Sequence, residues 1–72
     1  MVNKITKIYQ LGRKIFSRRK ELGFSQNFFA EKIGISREHL AKIETAKRTV
    51  SLDLLIKIAE NLDVKVRDLI DF

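Results

Sequence analysis

The stretch Ser25 to Glu44, SQNFFAEKIGISREHLAKIE, decides the fold, because it reads as two short helices joined by a tight glycine turn. Ser25 is placed to cap the first helix, and Phe29, Ala30 and Ile33 at i, i+1 and i+4 give it one apolar face. Gly34 ends that helix, Ile35 is expected to be buried in the turn, and Ser36 offers a second N-cap oxygen. Leu40 and Ile43, three residues apart, then form the apolar edge of the next helix. Its other face, with Arg37, Glu38, Ala41 and Lys42, is turned outward. Such a face, held rigidly by the helix before it, has the form that enters a DNA major groove.

Working outward, Ile8, Leu11, Ile15 and Leu22 recur at helical spacing before this pair, and Gly23 suits the residue after a helix end. The spacing predicts a first helix over about residues 5–22. Gly12 falls inside it, where glycine costs about 1 kcal/mol relative to alanine, so close approach of another helix is the expected compensation. Beyond Glu44 the pattern breaks over residues 45–50, and Ser51 with Asp53 marks a new helix start. Leu52, Leu55, Ile58, Ala59 and Leu62 are its expected core face. Asp63 is expected to take a left-handed conformation after it, and Val66, Leu69 and Ile70 give a last short helix its apolar side. No strand, internal repeat or low-complexity tract stands out. The prediction is an all-α fold, a compact five-helix bundle occupying residues 1–72 as one domain.

Composition narrows the function. Among 72 residues there is no cysteine and one histidine, so neither a disulfide framework nor a zinc site can form from this chain alone. No cofactor is expected. No apolar run approaches membrane-spanning length and no leader pattern is present, which makes a cytoplasmic protein without membrane contact the expectation. Proline is absent and the three glycines are scattered, which leaves no linker and no phosphate-cradling loop. Fifteen basic against nine acidic residues give a net +6, distributed unevenly: residues 1–50 carry a balance of +8 and residues 51–72 a balance of −2. A basic portion containing the turn-linked helix pair is the electrostatic footprint of a polyanion binder.

These residues together make a helix-turn-helix, and the chain resembles the phage repressor and Cro type of that motif. The resemblance runs over about Leu11 to Leu69. It rests on Gly12, Arg19, Gly23, Ser25, Gln26, Phe29 with Ala30, Gly34 with Ile35 and Ser36, then Glu44, Ser51, Leu52, Leu55, Ala59 and Leu62. It implies a transcription regulator whose third helix reads the major groove and whose homodimer binds a palindromic operator. It also implies roles for single residues. Arg37, Glu38 and Lys42 stand where this family reads bases: Arg37 toward guanine O6 and N7, Glu38 toward cytosine N4, Lys42 toward a second guanine or a phosphate. Gln26 resembles the residue that bonds a DNA phosphate and braces the recognition helix, while Thr45, Lys47 and Arg48 resemble the backbone-contacting loop. Arg19 and Glu44 match a pair that ties the first helix to the third by a salt bridge. The chain departs from the usual pattern at Ala46 and Asp63, where glycine is frequent, at Val50, where proline is, and at Phe28, where a polar residue is. Alanine in a left-handed position costs about 1 kcal/mol, so Ala46 is expected either to bear that strain or to force another turn.

Each candidate also has a plainer reading. Arg37 and Lys42 are ordinary solvated helix charges unless DNA meets them, and Glu38 near a helix N-terminus is already accounted for by the helix dipole. His39 alone makes neither a metal site nor a catalytic triad; a partly exposed side chain is the expectation, and its functional reading is a contact to the DNA backbone or a base edge. Phe24, Phe28 and Phe72 are expected in core or interface packing rather than as base-stacking platforms. No carboxylate pair sits in an evident cleft and no nucleophile has a histidine assigned to it, so an enzyme is not expected.

Surplus apolar residues near the C-terminus, Leu54, Ile56, Val66, Ile70 and Phe72, predict a homodimer through the fourth and fifth helices. No sensor domain is expected. Regulation would then follow the concentration of the chain itself or a protein partner encoded nearby, as in stand-alone repressors and the small controllers of restriction-modification systems. The alternative class is a protein-interaction adaptor, such as the antitoxin of a toxin pair, against which the basic first fifty residues argue.

Overall fold

The structure, a computed structural model, describes residues 4–71 and contains five helices: α1 (Lys4–Glu21), α2 (Gln26–Ile33), α3 (Arg37–Glu44), α4 (Leu52–Asn61) and α5 (Val66–Leu69). The order and placement agree with the periodicity of the sequence, and no strand occurs among the described residues. Serines begin the three middle helices in the same way. Ser25, Ser36 and Ser51 are extended at the backbone, and their hydroxyls accept from the N–H groups of Phe28, His39 and Leu54, satisfying one orphan donor of each helix.

Four helices also end alike. Each is closed by a pair of bonds in which a left-handed residue donates three residues back and its successor donates five back, the Schellman arrangement. Gly23 and Phe24 donate to the carbonyls of Lys20 and Arg19, and Gly34 and Ile35 to those of Glu31 and Ala30. Ala46 and Lys47 donate to Ile43 and Lys42, and Asp63 and Val64 to Glu60 and Ala59. Two of the four left-handed residues are therefore not glycine, Ala46 at φ 63° and Asp63 at φ 56°. Of the two outcomes open to Ala46, the chain keeps the turn and carries the strain.

The core joins Ile15 of α1, Phe29, Ala30 and Ile33 of α2, Leu40 and Ile43 of α3, Leu55, Ile58 and Ala59 of α4, then Leu62 and Leu69. α3 lies between α1 and α2 and is buried along one side by both. Gly12 makes the first of these contacts possible: a Cβ there would stand 2.6 Å from the carbonyl oxygen of Ile43 and 2.7 Å from that of Glu44. Basic side chains of α1 fasten the other end of the bundle, Arg18 Nε donating to the Leu62 carbonyl at 2.9 Å and Lys14 Nζ to that of Asp71 at 2.7 Å. Arg18 thereby meets the C-terminal end of α4, where cations are favoured, and Lys14 the chain just after α5.

Expectations about packing need correction at Leu52 and Ile35. Leu52, assigned to the core face of α4, is 68% exposed, because the first residue of that helix lies past the edge of the core. Of the two places expected for Phe28, core or interface, the core is excluded: it stays 52% exposed, with its ring 4.9 Å from that of half-buried Phe24. Ile35 is only partly buried in the turn, packed against the core. Of the apolar residues assigned to a dimer contact, Ile56 and Ile70 are exposed, Leu54 and Val66 are half-buried against the core, and Phe72 lies outside the described residues.

Candidate nucleic-acid interface

The site is assembled by the turn at residues 34–36. Gly34, at φ 78°, reverses the chain, and the extended Ser36 starts α3 immediately, so α3 is fixed against α2 by core contacts of Phe29, Ile33, Leu40 and Ile43. Leu40, Ile43 and Glu44 face inward. Arg37, Glu38 and Lys42 remain exposed on the opposite side, with Thr45, Lys47 and Arg48 exposed in the following loop and His39 half-buried. The basic residues assigned to DNA contact, Arg37, Lys42, Lys47 and Arg48, are thus exposed on α3 and the loop that follows it.

Behind this face is a buried ion pair. Arg19 and Glu44 are each 4% exposed; Arg19 Nε donates to Glu44 Oε2 at 2.7 Å and Nη2 to Oε1 at 3.1 Å. Nη1 of the same guanidinium donates to the Phe24 carbonyl at 2.7 Å, which ties the loop after α1 into the same arrangement. The expected link between first and third helices is present, with fork geometry that satisfies both charges.

Gln26 has more partners than the sequence suggested. Its Nε2 donates to Glu44 Oε1 at 3.0 Å, and its Oε1 accepts from Arg37 Nη1 at 3.4 Å. Gln26 and Arg37 are the first residues of α2 and α3, each following a serine cap, so the sequence contained their equivalent positions but not the angle that brings them together. Glu38 and Lys42 pair at 3.7 Å across one turn; with both side chains well exposed the pair contributes about 0–1 kcal/mol, and DNA can displace it cheaply. Thr45 donates its hydroxyl to the Ala41 carbonyl at 2.8 Å, which secures the end of α3. No cluster of potential metal ligands occurs among the described residues, and no helix among them is long and apolar enough to cross a membrane.

An all-α bundle in which a short helix is braced from behind and presents a basic face beside a tight turn is a helix-turn-helix domain of the repressor type. The chain belongs to the helix-turn-helix family, whose profile matches residues 15–69. It is similar to the HTH-type transcriptional regulator SinR of Bacillus subtilis (strain 168), at 39% identity over 62 residues that make up 85% of this chain and 56% of SinR. The chain therefore spans about half the length of that relative. Among solved structures it is similar to the restriction-modification controller protein C.AhdI from Aeromonas hydrophila, with TM-score 0.82, 31% identity and coverage of 86% of this chain and 94% of that one. It is also similar to SinR, the master regulator for biofilm formation, in complex with DNA, with TM-score 0.77, 37% identity and coverage of 82% and 95%. None of these relatives is named as an enzyme.

Proposed function

We propose that this chain is a sequence-specific double-stranded-DNA-binding transcription regulator that acts as a homodimer on a palindromic operator. The observation that carries the reading is the exposed basic face of α3 and its following loop, held in place by the buried Arg19–Glu44 pair. Arg37, Glu38 and Lys42 are the base-contacting residues in this reading; Gln26, His39, Thr45, Lys47 and Arg48 meet the DNA backbone. The likeness to SinR, which has been solved with DNA, supports it. Exposed Leu52, Ile56 and Ile70 supply the apolar surface for pairing two copies.

Selection of bound sequences from random duplexes tests the proposal. Enrichment of an inverted repeat is the expected result. Absence of any enrichment over bulk DNA would overturn it and leave the bundle as an adaptor for a protein partner.

A further inference from the structure

We propose that Glu44 is a positioning residue for base recognition: through Gln26 it fixes the direction of Arg37. The inference rests on the reading that α3 enters the major groove. Glu44 lies at the last position of α3 and is 4% exposed while Arg37, at the first, is exposed, so α3 offers Arg37 and not Glu44 to a base.

The chemistry leaves one arrangement. An ionised carboxylate only accepts hydrogen bonds and a guanidinium only donates them, whereas a carboxamide has one end of each kind. Glu44 Oε1 already takes Arg19 Nη2 at 3.1 Å and receives Gln26 Nε2 at 3.0 Å, so the NH₂ end of Gln26 must face it. The carbonyl end is then turned to Arg37 Nη1, 3.4 Å away. Reversing the amide would set acceptor against acceptor at Glu44 and donor against donor at Arg37. Both neighbours therefore select the same orientation, and the buried member decides it, because Glu44 is 4% exposed and gripped by Arg19 while Arg37 is exposed.

The tether leaves Arg37 competent to read a base. Of its five N–H donors only one is used, which leaves a two-donor edge for the O6 and N7 of guanine. A long side chain already turned in one direction loses less rotamer freedom on binding than a freely rotating one. The long Arg37 contact sets the scale at that of a weak hydrogen bond, about three- to tenfold in binding.

The test compares binding of the wild type, Gln26→Met and Glu44→Gln to a selected duplex and to duplexes changed at the base position read by Arg37. Gln26→Met keeps the side-chain volume without the amide, and Glu44→Gln can offer an NH₂ group to the Gln26 carbonyl and so release its orientation. Each variant is expected to lose about three- to tenfold in the preference at that position, with the salt slope unchanged. In an Arg37→Ala background neither should reduce the preference further. A purely structural role for Glu44 would lower binding to every duplex by the unfolded fraction and leave the ratio intact, which would overturn the inference. So would a sequence-blind loss in Gln26→Met, the mark of a phosphate contact alone. A wild type without any sequence preference fails at the earlier step and overturns the DNA-reading proposal itself.

Discussion

Gly12 of α1 touches the backbone of α3 at Ile43, and no side chain can be inserted between them. The nearest atoms to an added Cβ are carbonyl oxygens at 2.6 and 2.7 Å, which cannot rotate away as the end of a flexible side chain does. Gly12→Ala is accordingly expected to destabilise the domain by up to about 2 kcal/mol net, an overpacking cost of about 1–3 kcal/mol less the gain of about 1 kcal/mol in helix propensity. Urea denaturation measures it. An alanine variant as stable as the wild type would show that α1 can move off α3 without loss.

The Arg19–Glu44 pair closes the same contact from the polar side. Truncating either residue strands a buried charge and is expected to cost about 3–5 kcal/mol, with Arg19→Ala also releasing the Phe24 carbonyl. The double variant Arg19→Met/Glu44→Leu should recover much of that loss. A double-mutant cycle on unfolding free energies gives the coupling directly, and additive losses would mean that the two charges act separately.

Ala46 and Asp63 bear left-handed strain at the ends of α3 and α4. Ala46→Gly should therefore stabilise the domain by about 1 kcal/mol, enough to raise the melting temperature by roughly 4–8 °C in a chain of this size. Asp63→Gly should gain less, because aspartate tolerates that conformation better than alanine. Thermal unfolding of the two variants side by side checks both magnitude and order.

The sequence spelled out the helices because their boundaries are local chemistry: the serine caps and Gly34 act within a few residues of themselves. Ala46 was recognisable as a departure, but whether it would keep the turn depended on the bonds of Ala46 and Lys47 to α3. Leu52 had the spacing of a core residue and proved exposed, since spacing tells which side of a helix a residue is on and not where the core stops. The candidate site residues are legible as types on a face. Contacts between them were legible only where the family pattern supplied one, as for Arg19 and Glu44; the Gln26–Arg37 contact depends on the angle between α2 and α3, which no single segment encodes.

Arg37 and Lys47 should separate base reading from phosphate attraction. Arg37→Ala is expected to lose about 1–3 kcal/mol on the preferred duplex and to relax preference at one base position. Lys47→Ala, in the loop after α3, should weaken all sequences alike and reduce the slope of log affinity against log salt by about one. Titrations at several salt concentrations on specific and scrambled duplexes distinguish the two. Equal, sequence-blind losses would remove Arg37 from the base-reading set.

The homodimer is expected to form through α4 and the chain after it. Leu52 and Ile56, 68% and 40% exposed, lie one turn apart on α4, and Ile70 follows α5 with 45% of its surface exposed. Leu54 and Val66 already pack on the core, so a charge placed at either would test folding as much as assembly. Residues 51–72 carry a balance of −2 while residues 1–50 carry +8, so pairing through α4 brings together the less basic segment of each copy. A two-fold axis here would set the recognition helices about 34 Å apart, one turn of the duplex, if the pairing suits an inverted repeat. Leu52→Glu and Ile56→Glu should each weaken dimerisation by roughly one to three orders of magnitude, since every substitution enters a symmetric interface twice and only the exposed part of each side chain, out of about 1.5–3 kcal/mol for full burial, remains to be gained there. Sedimentation equilibrium at micromolar concentration reads this for wild type and variants. A wild type monomeric both alone and on DNA would exclude the dimer, and a dimer indifferent to both charges would move the interface off α4.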